Sequence, residues 1–162
     1  ITSVSKPILD GFKIQMPRKE IAFLEVRNGF DHEVAPKVSF NETFTFTYAG
    51  TFYGKRKPDT FFKALLQLKE EKRLPENWLV RFIGTPENFS IPSALKSNVV
   101  FLSTLPNEEV ITYLQNSDCN LLIHPPTEAK GIFTGKLFDY LSVETNHDYP
   151  TGENKRVLSS SH

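Results

Sequence analysis

Phe44-Thr-Phe-Thr-Tyr-Ala49, with the loop and helix that follow it, decides the fold class of this chain. These six residues alternate with period two and are rich in β-branched and aromatic side chains, which is typical of a strand. A flexible loop, Gly50-Thr-Phe-Tyr-Gly54, comes next, followed by a basic turn, Lys55-Arg-Lys57. Pro58 suits the first turn of a helix, and we predict that this helix runs to Arg73. Together they form the first strand–loop–helix unit of an α/β domain.

The same pattern repeats along the chain. We predict strands at 79–83, 99–102 and 120–123, and helices at 106–115 and from Gly135 onward. Strands that alternate with helices imply a parallel sheet covered on both faces. We therefore expect an α/β, Rossmann-like three-layer domain with a mainly parallel sheet. Ligands of such sheets bind beyond the carboxyl ends of the strands, which directs attention to the loops 50–57, 84–90, 103–107 and 124–135.

The two ends of the chain are predicted to lie outside this domain. Residues 1–36 carry turn signals and one candidate strand at 21–26, and we interpret them as a lead-in or interdomain segment. Residues 37–142 would form the ligand-binding domain. Residues 143–162 are polar and would form a tail.

Composition narrows the classes of function. The 162 residues fit one domain, and nineteen basic residues balance nineteen acidic ones. There is thus no electrostatic case for nucleic acid or an anionic membrane as the main partner. No secretory signal and no apolar run near the length of a membrane span is visible, so we expect a cytoplasmic protein.

Two individual features concern packing and metals. The helix after Pro58 carries an apolar stripe predicted to face the core, formed by Phe61, Leu65 and Leu68. The single cysteine, Cys119, excludes an internal disulfide and is predicted to be buried and inert. The histidines lack ligand spacing and no Asp-x-Asp pair occurs, so we expect no metal and no cofactor.

A second strand–loop–helix unit carries the strongest functional signal. Thr127-Glu-Ala-Lys-Gly-Ile-Phe-Thr-Gly-Lys-Leu-Phe-Asp-Tyr-Leu141 follows an apolar run and turns helical near Gly135. The glycines and the N–H groups of the helix N-terminus favour a bound anion, and Lys136 adds a charge. Asp139 lies on the same helical face, where it can accept hydrogen bonds from hydroxyls. A phosphate site beside a carboxylate suits a nucleotide-sugar.

Two common nucleotide motifs are excluded by spacing. The phosphate loop of nucleoside triphosphatases needs four residues between its glycines and Ser or Thr after its lysine. Here three residues separate Gly131 from Gly135, and Leu137 follows the lysine. The NAD-binding pattern Gly-x-Gly-x-x-Gly is not met by the loop at 50–54 either.

Four motifs then occur in a recognisable order: Tyr48-Ala-Gly50, the basic turn at 55–57, Phe82-Ile-Gly84 and Gly135-Lys-Leu-Phe-Asp-Tyr-Leu141. Together they resemble the C-terminal half of GT-B glycosyltransferases, most closely the retaining group often called family 4. The lead-in agrees through Asn28-Gly-Phe-Asp31, and the resemblance covers about residues 1–142. It implies the donor-binding domain of a hexosyltransferase-like enzyme. Such an enzyme would move a sugar from a nucleoside diphosphate, such as UDP or GDP, to an acceptor that the sequence does not identify.

The resemblance also implies roles for individual residues. Arg56 or Lys57 would contact the donor diphosphate, and the loop at 131–135 would hold phosphate or sugar through its backbone. Asp139 stands where the family commonly has a glutamate that binds the ribose hydroxyls. The implied donor-binding set is Arg56, Lys57, Gly131, Thr134, Gly135, Lys136 and Asp139.

Departures from the family pattern concern catalysis. The family often places a second acid, which contacts the transferred sugar, eight positions before the ribose carboxylate; this chain has Gly131 there. Glu128 is the nearest acid and the one candidate catalytic residue. The acceptor domain of the family is missing, so we expect a fragment that is inactive alone, from an enzyme whose full-length form could be peripheral to the membrane.

The alternative interpretation is a non-catalytic doubly wound nucleotide-binding or regulatory module, of flavodoxin or receiver type. Such a module would need an acidic cluster or a flavin loop at its strand ends, and the sequence has neither feature there.

Overall fold

The computed structural model of the chain describes residues 1–17, 20–30, 42–52, 54, 56–123 and 134–143. Within these residues the strands are β1 (Thr2–Ser3), β2 (Leu24–Glu25), β3 (Phe44–Ala49), β4 (Trp78–Ile83), β5 (Val99–Leu102) and β6 (Cys119–Asn120). The α-helices are α1 (Lys6–Gln15), α2 (Asp59–Glu70), α3 (Asn107–Gln115) and α4 (Gly135–Ser142), and a 3-10 helix spans Ser93–Asn98.

The main sheet is parallel throughout, with the strand order β5-β4-β3-β6. β3 and β4 pair over their whole lengths, from Phe44 opposite Trp78 to Ala49 opposite Ile83. The chain runs from β3 outward to β5 and then returns to the other side of β3 as β6. The strand order therefore reverses between β3 and β6. In open α/β sheets such a reversal marks the place where ligands bind, beyond the carboxyl ends of the strands.

Helices cover both faces of this sheet. Because side chains alternate along a strand, Tyr48 and Phe82 face one side while their neighbours Ala49 and Ile83 face the other. The first face packs against α2 and the 3-10 helix through Phe62, Leu65 and Leu95. The second face packs against α3 and α4 through Ile111, Leu114 and Tyr140. The prediction of an α/β domain with a mainly parallel sheet is confirmed.

Many of the phenylalanines lie in the first of these two cores. Phe82 is fully buried, with its ring 5.3 Å from the stacked ring of Phe101 and 5.3 Å from the edge-on ring of Phe89. Phe52, in the loop after β3, packs on the Tyr48 ring at 4.3 Å. The aromatic core thus extends to the carboxyl end of β3, where it supports the loop that follows.

Polar contacts fix β6 beside β3. The backbone N–H of Thr45 donates to the Asp118 carboxylate at 2.8 Å. The hydroxyls of Thr47 and Ser117, both fully buried, share a hydrogen bond of 2.6 Å. Buried hydroxyls require such partners, so these two contacts specify the register of the short last strand.

Several predicted bounds need correction. β3, β5 and α3 match their predictions, but β6 is Cys119–Asn120 rather than 120–123, because only Phe46 and Thr47 of β3 pair with it. The buried positions of α2 are Phe62 and Leu65, whereas Phe61 and Leu68 are only half-buried. Leu65 is thus the one residue of the predicted stripe that is buried, and Phe62 is buried in place of Phe61. Phe62 turns inward because it joins the aromatic core around Phe82.

The burial of two further residues differs from its prediction. Cys119 is half-buried rather than buried, and burial raises the pKa of its thiol, which keeps it in the unreactive protonated form. Val143, assigned by sequence to the tail, is 5% exposed and packs with Ala49 and Ile83.

The lead-in has a structure of its own. β1 and β2 form a parallel two-stranded sheet, and α1 packs beside it with Leu9 buried. The sequence predicted no helix here and a longer strand at 21–26. α1 accommodates Pro7 because this residue lies in the first turn, where a missing N–H is tolerated. In the part of the chain that the structure describes, every helix is too short or too polar to cross a bilayer.

Candidate functional site

A cavity of about 280 Å³ lies at the carboxyl ends of β3 and β4, next to the strand-order reversal. Its walls come from the loops after β3, β4 and β5 and from the inner sides of α3 and α4. The residues that line it are Ala49, Gly50, Thr51, Ile83, Gly84, Thr104, Leu105, Asn107, Val110, Leu114, Lys136, Asp139 and Tyr140. We call it the switch-point cavity.

Two glycines shape the rim of the switch-point cavity. Gly50 has φ of 113° and Gly84 has φ of 65°, conformations that disfavour residues with a Cβ. The loops are tied to each other: the Thr51 hydroxyl donates to the carbonyl of Gly84 at 3.1 Å, and the Thr85 hydroxyl donates to the carbonyl of Gly50. The two backbones are therefore held together at the point where a ligand would approach.

Lys136 reaches from α4 across the end of β3. Its Nζ donates to the Tyr48 hydroxyl at 2.8 Å and lies 4.2 Å from the centre of the Tyr48 ring. Its Nζ and Cε also lie against Gly50, in the space that a Cβ would occupy. The contact is possible only because residue 50 has no side chain.

Lys136 is half-buried and lies near a second positive charge. Burial, and secondarily the positive charge of Arg56, lower the pKa of Lys136 to about 8, from an ordinary value of 10.5. Arg56 itself is half-buried in the loop after β3. A bound anion would relieve both effects, because it attracts both cations and replaces lost solvation. The electrostatics thus favour an anionic ligand.

Asp139 and Tyr140 follow Lys136 on the same side of α4. Asp139 lines the switch-point cavity, where its carboxylate can accept hydrogen bonds from hydroxyls. The Tyr140 hydroxyl accepts a hydrogen bond from the backbone N–H of Ala49 at 3.2 Å, which fixes α4 to the end of β3. Burial raises the pKa of Tyr140 to about 12, so this hydroxyl stays protonated at neutral pH.

Some of the predicted site residues line or adjoin the switch-point cavity, and others lie at the start of α4. Lys136 and Asp139 meet in the switch-point cavity, and Arg56 lies near enough to act on Lys136. Thr134 is the N-cap residue of α4, and its buried Oγ1 has no hydrogen-bond partner among the described residues. Gly135 opens α4 and is exposed.

Of the remaining predicted residues, the structure describes only Lys57. Lys57 is exposed and is not one of the residues that line it. Gly131 and Glu128 lie outside the described residues, so the predicted phosphate loop and candidate catalytic acid stay predictions.

Sequence reasoning missed several residues of the cavity. Tyr48, which contacts Lys136 beside the cavity, was assigned to a strand and to a motif of the resemblance, and Tyr140 and Thr51 received no binding role. Tyrosine hydroxyls near strand and helix ends need partners when buried, which was the available signal for Tyr48 and Tyr140. Thr104 and Asn107 belong to a loop that was expected near the site, but nothing in their spacing singled them out.

Among the described residues, no group of three or more His, Cys, Asp and Glu side chains is arranged to hold a metal ion. Comparison with known proteins identifies no family for this chain: no protein-family model matches it, and no curated protein matches it significantly.

Proposed function

We propose that the switch-point cavity binds a nucleoside diphosphate-sugar, and that the chain is a donor-binding domain of a GT-B glycosyltransferase. The observation that carries the proposal is the presence of Lys136 and Asp139 in one cavity at the carboxyl end of β3. An ammonium in the first turn of a helix favours a diphosphate. A carboxylate one turn further favours the hydroxyls of a ribose or sugar.

The proposed chemistry is electrostatic. When a sugar leaves a nucleoside diphosphate, negative charge grows on the departing phosphate, and fixed cations nearby lower the barrier. Lys136 and Arg56 would supply this charge from half-buried positions, where electrostatic interactions are stronger than in open water. Lys57 is exposed, so it would supply positive charge only at the rim of the switch-point cavity.

The polar groups of the neighbouring loops suit the rest of such a ligand. Thr104, on the loop after β5, and Asn107, at the start of α3, offer hydrogen-bonding groups beside the apolar side chains of Leu105 and Val110. Mixed apolar and polar lining is typical of small-molecule sites. Asp139 would accept from the ribose hydroxyls, as the resemblance implies.

A second candidate is a non-catalytic nucleotide-binding module that uses the same groups. The observation that favours it is that Asp139 is the one acid among the described residues lining the cavity. Sugar transfer would need a further group to contact the sugar, whereas nucleotide binding would not.

Isothermal calorimetry with UDP, GDP, ADP and inorganic pyrophosphate tests the proposal. We expect one nucleoside diphosphate to bind more tightly than pyrophosphate, and its nucleotide-sugar to compete with it at similar affinity. If the nucleotide binds but none of its sugar conjugates competes within a hundredfold, the non-catalytic module is the better description. If a folded sample binds none of these compounds, both candidates are wrong.

A further inference from the structure

A second, larger cavity of about 600 Å³ lies on the other side of α4, between this helix and the lead-in. Leu137, Phe138 and Leu141 of α4 form an apolar wall of it. Lys136, Asp139 and Tyr140, by contrast, face the switch-point cavity. α4 therefore separates two cavities that share no lining residue. We call the second one the lead-in cavity.

The lead-in cavity holds a buried hydroxyl without a partner. Ser5 lines the cavity, is 2% exposed, and its Oγ has no hydrogen-bond partner among the described residues. Ser5 is the N-cap residue of the ten-residue helix α1, yet its side chain does not cap the helix. Part of the reason is Pro7, in the first turn, which has no N–H to offer. An unpaired buried hydroxyl costs free energy, so this position has a group that a ligand could satisfy.

The polar end of the cavity favours a single negative charge. Lys6 and Arg27 line it with Ser5, and Glu25 pairs with Arg27 through a 2.9 Å contact between Nε and Oε1. Two cations and one anion leave one positive charge. The N-terminus of α1 adds the positive end of its dipole at the same place.

Size and lining together define the class of ligand. A volume of about 600 Å³ lies within the range of small-molecule sites, and the α4 wall offers apolar surface to bury. We propose that the lead-in cavity is a second binding site, which takes a small amphiphile with one carboxylate on an apolar body. The carboxylate accepts from the Ser5 hydroxyl and lies near Lys6 and Arg27, while the apolar body packs on Leu137 and Phe138.

Calorimetry with sodium octanoate tests this site, with octan-1-ol as the neutral match. We expect saturable binding of octanoate at one site and at least tenfold weaker binding of the alcohol. Ser5→Ala and Arg27→Gln are each expected to weaken octanoate binding about tenfold, the loss of one charge-assisted hydrogen bond or cation. Lys13→Gln is the matched control on α1, because Lys13 lies in the last turn of the helix and pairs with Asp10.

If the Ser5 hydroxyl had a purely structural role, Ser5→Ala would lower the unfolding temperature of the ligand-free protein. Because its hydroxyl is unpaired, Ser5→Ala is expected to leave the unfolding temperature of the ligand-free protein unchanged or higher. Leu141→Glu is a further variant: Leu141 is 71% exposed, so a carboxylate there is tolerated by the fold but repels the ligand. We expect it to abolish octanoate binding and to leave nucleotide binding unchanged.

The proposal is overturned if the folded wild-type protein shows no saturable binding of octanoate, or if octanol binds equally well. Unchanged octanoate affinity in Ser5→Ala, Arg27→Gln and Leu141→Glu would also overturn it. None of these outcomes bears on the switch-point cavity, whose residues are untouched by the variants.

Discussion

Lys136 and Gly50 form a contact that depends on the absence of a side chain. The ammonium end of Lys136 lies against the α-carbon of Gly50, which itself has φ of 113°. The contact joins the first turn of α4 to the end of β3, the two elements that meet at the strand-order reversal. It places a half-buried positive charge where a parallel sheet binds its ligands.

Gly50→Ala is expected to disturb both stability and binding. The added methyl group would collide with Nζ and Cε of Lys136, and alanine is strained at this φ. We expect a loss of about 1–3 kcal/mol in the free energy of unfolding, measured by urea denaturation. Nucleoside diphosphate affinity should fall as well, because Lys136 must move.

Gly54→Ala is the matched control. Gly54 also has a positive φ, 63°, but a Cβ there meets no atom within 4 Å. It should lose about 1–2 kcal/mol from backbone strain alone and keep its affinity for the nucleotide. Equal affinities in the wild type and both variants would mean that the Lys136 contact plays no part in binding.

Nucleotide affinity should depend on pH through Lys136. Its pKa is about 8 in the ligand-free protein, and a bound diphosphate would raise it. Affinity for UDP or GDP should therefore fall as pH rises from about 7.5 through 8, by at most tenfold per pH unit. Calorimetry near pH 8 in two buffers of different ionisation enthalpy should show proton uptake on binding. Affinity that is flat from pH 7.5 to 9.5 would argue against contact between Lys136 and the ligand.

The free energy of unfolding of the ligand-free protein should change with pH in the opposite direction to the nucleotide affinity. The pKa of Lys136 is lower in the folded state than its ordinary value of 10.5, so the unfolded state binds more protons above pH 8. This group therefore makes the free energy of unfolding rise from about pH 8 to pH 10. Above pH 10 the raised pKa of Tyr140, about 12, acts in the other direction. Lys136→Met should remove the rise.

The hydrogen bond between Thr47 and Ser117 should contribute to stability through its burial. Ser117→Ala leaves the Thr47 hydroxyl without this partner inside the protein, which is expected to cost about 1–3 kcal/mol. The double variant Thr47→Val with Ser117→Ala removes both hydroxyls and should recover part of that loss. A double variant whose loss equals the sum of the two single losses would contradict this pairing.

The order of the elements could be predicted from sequence because strand and helix periodicities are local. β3 was placed correctly by its alternation, β5 by its apolar run, and α3 by helix-start signals such as Pro106. α1 was missed because the segments 3–7 and 16–19 carry turn signals, although a proline in the first turn, such as Pro7, is compatible with a helix. The inward turn of Phe62 depends on Phe82 and Phe89, which are distant in sequence and could not be foreseen from local pattern.

The candidate site was predictable in part for the same reason. Lys136 and Asp139 stand out because they lie in one short segment, at the start of one helix. Tyr48 and Gly50 join them only through the parallel packing of β3 beside β6, which brings residues 88 positions apart into contact. No spacing rule encodes that contact.

The most direct test of the proposed diphosphate site compares three variants with the wild-type protein in one calorimetric titration series. Lys136→Ala and Arg56→Ala should each weaken binding of the preferred nucleoside diphosphate by roughly 1.5–3 kcal/mol, the contribution of a charge-assisted hydrogen bond. Lys96→Ala removes the same charge from an exposed position on the 3-10 helix that leads into the amino end of β5, and should bind like the wild type. If Lys136→Ala and Arg56→Ala bind as tightly as Lys96→Ala, the diphosphate does not bind in the switch-point cavity.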